Sequence, residues 1–411
     1  MAFLGSSSIS LDATVGAVRV TGSSYAPGLS VTDSKCMLSH SSAYAHIQEY
    51  VFPGDNCTSL IPTGTGIFQT GVKLEFPTST PTNVHVIQDE FEHAEGFLAI
   101  SDADLGLEYY IVTYCTMGGV CQFTVTPISN TTSVTIYFPE TVQTDSICIS
   151  GISGLDVVPG IGLPFTLDEL EVLHIESESD LSGTYITADK KVAVFAGARD
   201  VPSKKIGYKS RLLEQLPPVN KWDQDFIFSP NPLNDEGDIL KLVTMIDNTE
   251  IFITGFSPFV IPDSGSKVER RIDWGMPSVV TASNPVLAMQ VMAVTLYDDD
   301  VNATDIPMPA MVLVPGFNHW TSDTLYFPCV YVSGQITSTS LVSVSAVNGT
   351  TTSMSTGTVA HVGNTGYITD TLNAPSEVIT IYGFLAAYGY CHGASAFLLD
   401  IDWSTEIEVT F

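Results

Sequence analysis

Short runs in which apolar and polar positions alternate, or in which β-branched residues crowd together, recur along the chain and end at Gly, Pro, Asn or Asp. Between residues 182 and 256 they read TYIT, VAVFA, DFIFS, LKLVTMI and EIFITGF, the last after the tight Asp247-Asn248-Thr249 turn. A period of two between turn residues predicts strands joined by hairpins. Helical periodicity is scarce. Residues 165–175 (FTLDELEVLHI) admit one short helix, but they read equally as a turn followed by a strand.

The runs repeat. A strand leading into a Val-rich strand occurs as VKLEFPTSTPTNVHVIQ, TYITADKKVAVFAG, SVVTASNPVLAMQV and YITDTLNAPSEVITIYGF, and taking Val84, Val192, Val286 and Val378 as counterparts gives spacings of 108, 94 and 92 residues. A second block, FLAISDADLGLEYYIV, LLEQLPPVNKWDQDFIF and MVLVPGFNHWTSDTLYF, recurs in phase and places Trp222 and Trp320 at matching positions, with Leu107 in the earlier copy. An apolar stand-in for tryptophan points to core packing rather than to ligand stacking. The expected fold is all-β, with four repeats of an antiparallel β-meander at about 8–95, 96–200, 201–296 and 297–390. Residues 391–411 are expected to form a closing or exchanged C-terminal strand. The first copy lacks its leading strand, so SAFLLDIDW near the C-terminus would fill that gap and close a propeller-like ring, or complete a neighbouring molecule instead. Four tandem β-sandwiches fit the length as well.

Charge narrows the setting. Lys and Arg number 15 against 45 Asp and Glu, a formal charge of -30, which argues against nucleic acid or anionic lipid as partner. Charged residues make up 15% of the chain and apolar ones 44%, a balance of β-rich extracellular modules. Seven cysteines without paired CxxC spacing favour disulfides over zinc. Cys115 and Cys121 bracket the turn-like TMGGV, Cys329 and Cys391 would close a longer loop, and Cys36 with Cys57 forms a third candidate pair. Cys148 is left over, either buried or bonded to another chain. Sequons at Asn56, Asn130, Asn302 and Asn348 each lie beside a turn signal and favour secretion. Residues 1–5 are too short for the apolar core of a leader. The longest apolar run, residues 286–297, contains Gln290 and Thr295 and falls short of a membrane span.

Reactive chemistry is hard to find. The eight histidines form no HExxH and no His-x-His pair, Ser264 lacks the glycine pattern of a nucleophile elbow, and no glycine-rich loop runs into Lys-Ser/Thr. Asp298, Asp299 and Asp300, with Asp305 behind them, are the densest acidic cluster, and calcium is the one cofactor they would take. Without a full set of ligands around a bend they read as a solvated acidic turn. A second acidic patch spans residues 89–92 (DEFE). No pair of carboxylates is placed for hydrolysis, so the chain is not expected to be an enzyme.

The order D-L-S-G-T-x-I-x-A-x-K-x-V-A-V-F-A-G from Asp180, then L-L-E-Q-L-P-P-V-x-x-W from Leu212, then D-x-T-x-I-x-I from Asp247 resembles the N-terminal domain family of the IgGFc-binding protein. Glu214-Gln215-Leu216-Pro217-Pro218 with Trp222 is its most specific piece, and the likeness spans roughly residues 8–400. The resemblance implies a secreted, non-catalytic component of mucus, adhesive or other extracellular material. Its partners would be other extracellular proteins, or a second copy met through the C-terminal strand or Cys148.

Overall fold

In a computed structural model of the chain, residues 97–115, 118–149, 156–202, 211–230, 236–273, 275–292, 309–320, 401–403 and 405–407 are described in full, and outside these the backbone of strands alone. Among the described residues there are strands and short 3-10 turns, with no α-helix. The chain divides into two compact units, Met1–Ala94, Leu98–Pro202 and Arg211–Val219 forming the first, and Glu95–Phe97, Ser203–Ser210 and Asn220–Phe411 the second.

Two curled antiparallel sheets carry the described core. The first contains β1 (Gly106–Tyr110), β2 (Val120–Pro127), β3 (Thr132–Tyr137), β4 (Ile147–Cys148), β5 (Leu163–Leu167), β6 (Glu171–Ser177), β7 (Tyr185–Pro202) and β8 (Lys209–Leu216). Its order is β4-β6-β2-β7-β3-β5, with β1 and β8 also on β7 and the strand Gly66–Gln69 also on β6. The second contains β9 (Asp223–Phe228), β10 (Asp238–Thr244), β11 (Thr249–Ile253), β12 (Phe259–Ile261), β13 (Lys267–Ile272), β14 (Ser278–Met292) and β15 (Ala310–Leu313), in the order β12-β11-β14-β10-β13 with β9 and β15 also on β14. The 165–175 segment is turn plus strand: β5 ends at Leu167, Leu170 takes φ 65, and β6 follows.

The two sheets share one register. Val192 faces Gly106 and Pro127, and Val286 faces Asp223 and Thr244. The long strands therefore correspond at an offset of 94 residues, while the strands paired to them correspond at 117. The 23 extra residues fall between β3 and β5, where residues 138–162 of the first sheet answer to a short turn in the second. Local chemistry repeats with the register. Each long strand bends at a polar corner, where Asp189 Oδ1 accepts the Ser133 N–H at 2.8 Å and Ser283 Oγ accepts the Glu250 N–H at 2.9 Å. Before the third strand, Thr131 and Asn248 both have φ 54, and the next threonine, Thr132 or Thr249, donates its hydroxyl to the carbonyl three residues back at 2.7 Å.

Alternation explains the burial. In β3 and β11 the inward Val134, Ile136, Ile251 and Ile253 are at most 3% exposed, whereas Ser133 and Glu250 face water. β2, β10 and the second halves of β7 and β14 are buried on both faces, so they read as continuous apolar runs. Each large apolar side chain so buried stabilises the fold by about 1.5–3 kcal/mol relative to exposure.

Register also corrects the sequence reading. Leu105, 3% exposed, precedes Gly106 as Trp222 precedes Asp223, so Leu105 is the counterpart of Trp222; Leu107 is 44% exposed and lies outside the core. Aligning the two blocks at Phe97 and Leu212 sets an offset of 115 residues, two short of the 117 at which the paired strands correspond; both sheets carry the same β-bulge, between Gly106 and Glu108 and between Asp223 and Asp225. Val378 faces Tyr326 in a pairing like that of Ser278 with Phe228, so it is no counterpart of Val286. Near the C-terminus, the strand Ser395–Leu398 pairs antiparallel with Leu385–Cys391, directly before it in sequence, and not with an N-terminal strand among the described residues.

Candidate functional site

The segments that distinguish this sequence most are held by buried polar bonds. In the first unit Asp180 Oδ1 accepts from the Ser182 N–H at 3.0 Å, the Ser182 hydroxyl at 2.6 Å and the Thr113 hydroxyl at 2.8 Å. Gly183 then turns the chain at φ 89, and the Thr184 hydroxyl bonds the Leu181 carbonyl. Asp180-Leu181-Ser182-Gly183-Thr184 is therefore an aspartate-centred turn anchoring the start of β7. In β8, Gln215 Oε1 accepts the Ile100 N–H at 2.8 Å, and Glu214 Oε1 accepts the Gln215 N–H at 3.0 Å. Glu214, Gln215 and Leu216 are at most 2% exposed, and Pro217 and Pro218 are buried too. This motif presents no side chain to a ligand.

In the second unit Trp222 and Trp320 are 2% and 5% exposed, and the residues beside them form a polar lock. Asp223 accepts the Asn318 N–H at 2.9 Å and Asn318 Nδ2 at 3.0 Å, and its own β-carbon lies only 2.1 Å from where a Cβ on Gly316 would stand, so glycine is required there. His319 has Nδ1 at 2.8 Å from the Asp402 carbonyl and Nε2 at 2.8 Å from the Lys221 carbonyl. The buried Lys221 ammonium donates to the Trp403 carbonyl and pairs with Glu406 at 3.1 Å. Asp402 N–H to the His319 carbonyl and Ile407 N–H to the Asn220 carbonyl complete the attachment of residues 401–407. The lock orders a peptide segment. It presents no nucleophile beside a base.

The described cations are engaged within the fold. Lys190 donates to the carbonyls of Asn130 and Thr131, and Lys191 to those of Asp102 and Ala103. Arg199 pairs with Glu176 at 3.0 Å and Asp200 at 2.6 Å, and the fully buried Lys241 pairs with Glu269 at 2.7 Å. Burial pulls the Arg199 guanidinium down, yet the hydrogen bonds and charges of Glu176 and Asp200 outweigh it and its pKa stands above the ordinary value. Tyr109 donates to the Val192 carbonyl at 2.7 Å and accepts the Gly106 N–H at 2.8 Å, bridging the bulge. Burial raises its phenol far above the usual range, against a smaller lowering by Gly106. Tyr185 is raised too, first by burial and then by the Glu108 carboxylate.

Cys115 and Cys121 form a disulfide. Cys148, in the 138–162 insertion, is an exposed free thiol, which overturns the buried alternative. Asn130 is exposed beside the β2–β3 turn. Asp298, Asp299, Asp300, Asp305, Cys36, Cys57, Cys329, Asn56, Asn302 and Asn348 lie outside the described residues, and Cys391 is described only as strand backbone. Among the described residues no three His, Cys, Asp or Glu side chains gather into a metal site. His174 and His319 are buried, His174 Nε2 standing 3.1 Å from Gln122 Oε1. Sequence reasoning missed the Lys221–His319 lock, for which the in-phase NKW and NHW tripeptides were the available signal.

No curated protein matches the chain. A solved structure described as "Ca2+-stabilized adhesin helps an Antarctic bacterium reach out and bind ice" aligns at 11% identity over 97% of each chain with a TM-score of 0.12, too low to bear on this fold. The model of the family described as IgGFc binding protein matches residues 95–378. Its span takes in β1 to β15, the Asp180 turn and the Glu214–Trp222 motif, and by it this chain belongs to the IgGFc-binding protein family.

Proposed function

We propose that this chain is a secreted, non-catalytic structural or adhesive protein of an extracellular mucus, coat or filament, acting through protein–protein contacts. Family membership carries the reading. The Cys115–Cys121 disulfide supports it, because such bonds persist in oxidising compartments. Among the described residues no helix is long and apolar enough to cross a membrane. Both curled sheets fill their interiors with side chains, and the polar groups at the motifs hold the backbone in place, which suits a stiff body that touches other molecules. We read that body as four copies of one unit, glycosylated at Asn56, Asn130, Asn302 and Asn348, with further disulfides Cys329–Cys391 and Cys36–Cys57. Asp298, Asp299, Asp300 and Asp305 are read in it as a solvated acidic turn, with calcium as the alternative.

The test is retention of the purified, fluorescently labelled protein by a reconstituted extracellular gel, measured after washing and compared with an unrelated acidic protein. Retention at the control level, or turnover of a hydrolase substrate panel, would reject the reading. A second reading, a binding module for an immunoglobulin-like or glycan ligand, is favoured by the family's description. Saturable binding of immobilised Fc or of a defined glycan, with no retention by the gel, would put it first.

A further inference from the structure

In the lock that holds residues 401–407, both ring nitrogens of His319 face acceptors. Nδ1 stands 2.8 Å from the Asp402 carbonyl oxygen and Nε2 stands 2.8 Å from the Lys221 carbonyl oxygen, and the residue is 3% exposed. A carbonyl oxygen can only accept. A neutral imidazole has one N–H and one lone pair, so in either tautomer one ring nitrogen would turn its lone pair on a carbonyl oxygen at a buried place. The imidazolium, with two N–H donors, satisfies both carbonyls at once.

The surrounding charges favour that form. Lys221, on the turn Val219–Lys221, donates its ammonium to the Trp403 carbonyl and pairs with Glu406 at 3.1 Å. Asp402 and Glu406 lie on the segment itself, and Asp223, at the start of β9, accepts two bonds from Asn318 beside the ring. With the ring charged, two cations stand against these three carboxylates; with the ring neutral, one does. The Trp403 ring lies 5.1 Å from that of His319, an approach that attracts a cation more than a neutral ring. Two cationic donors, His319 and Lys221, thus grip the consecutive carbonyls of Asp402 and Trp403.

We propose that His319 is a proton-operated clamp: its imidazolium docks residues 401–407, and loss of the ring proton releases them. The Lys221 carbonyl is fixed by the turn that leads into β9, whereas residues 401–403 and 405–407 run outside any sheet ladder. The lost bond therefore falls on Asp402. As that carbonyl leaves, its neighbour Trp403 is drawn from the Lys221 ammonium, so the two donors let go together. Docking is complete while the ring is charged and fades as rising pH removes its proton. The clamp belongs to the fold and does not depend on which extracellular role the protein serves.

Hydrogen exchange of the full chain, read by mass spectrometry on peptides spanning residues 401–407 and corrected for intrinsic exchange, is the test from about pH 5 to about pH 9, a range that brackets histidine titration. Protection of the segment should fall about tenfold or more as pH rises, the loss of one charge-assisted bond, while β10 keeps its protection. Nitrogen NMR of isotope-labelled histidines should show His319 with both ring nitrogens protonated while the segment is protected. In His319→Gln, which can donate from one end only, protection should be low throughout and level with pH. Glu406→Gln should lower protection yet keep its pH dependence. Level protection across the range in the folded protein overturns the proposal, as does a pH dependence that survives in His319→Gln or a bare ring nitrogen under a protected segment. Loss of the pH dependence in Glu406→Gln would assign it to the Lys221 ion pair instead and would equally overturn it. If the glutamine variant of His319 unfolds, ring protonation and segment protection in the unaltered protein decide the matter.

Discussion

The sheets built around β7 and β14 repeat the same ladder, the same corner and the same left-handed residue before the third strand, yet they stabilise it with different chemistry. Tyr109 of the first corresponds to Phe226 of the second, and both are buried. Cys121, tied to Cys115, corresponds to Asp238, whose carboxylate accepts Gln290 Nε2 at 2.7 Å. Thr124 corresponds to Lys241, which carries a buried charge to Glu269. What is preserved between them is backbone geometry and the inward apolar set. The polar chemistry is replaceable: the buried Lys241 charge is paired with Glu269, while the buried Thr124 hydroxyl at the same place has no hydrogen-bond partner among the described residues.

The largest expected effect tests the register itself. Trp222→Ala should cost about 3–5 kcal/mol and Leu105→Ala about 2–5 kcal/mol in denaturant unfolding, since both are core positions. Leu107→Ala should stay within about 0.5 kcal/mol. If Leu107 proves the costlier of the two leucines, the correspondence of the sheets is wrong. Removing the Cys115–Cys121 bond by a double change to Ala should lose about 2 kcal/mol, the loop-closure entropy of a short loop, with the loss read from urea midpoints.

Tyr109→Phe places in the first sheet what the second already has. It should cost about 1–3 kcal/mol, because the Gly106 N–H is left without its phenol partner at the bulge. Alkaline titration sharpens the point. Both Tyr109 and Tyr185 are raised above the ordinary phenol value of 10.0, so the stability that depends on neutral phenols is complete below about pH 10 and is lost as pH rises toward the folded-state values. Tyr109→Phe and Tyr185→Phe should each flatten the alkaline loss followed by circular dichroism.

The smallest effect concerns the corner. Asp189→Ala and Ser283→Ala each remove one acceptor from an exposed backbone N–H and should cost about 0.5–1.5 kcal/mol, by similar amounts in the two sheets. A clear difference between them would show that the corners are alike in shape and unlike in energy.

Much of the fold was legible in the residues. Period-two runs gave the strands, Gly and Asn-bearing turns gave their ends, and Val192 with Val286 gave a true internal correspondence. Leu107 was misplaced because aligning the blocks by their leading apolar residues leaves them two residues out of the strand register, and Val378 because a valine fits either half of a long bent strand. The Lys221–His319 lock escaped notice because it joins segments about 80 to 180 residues apart through backbone carbonyls, which leave no trace in side-chain spacing.

The sequence by itself determined the all-β character, the repeated alternation, the acidic balance and the family-bearing motifs, because each is a property of neighbouring residues or of their sum. Only the tertiary structure decided which residues are counterparts, that the Glu214–Trp222 motif is buried support, and that β6 carries strands along its outer side. Those depend on which distant strands come to lie side by side, and a ladder of backbone hydrogen bonds is nearly indifferent to the side chains it joins.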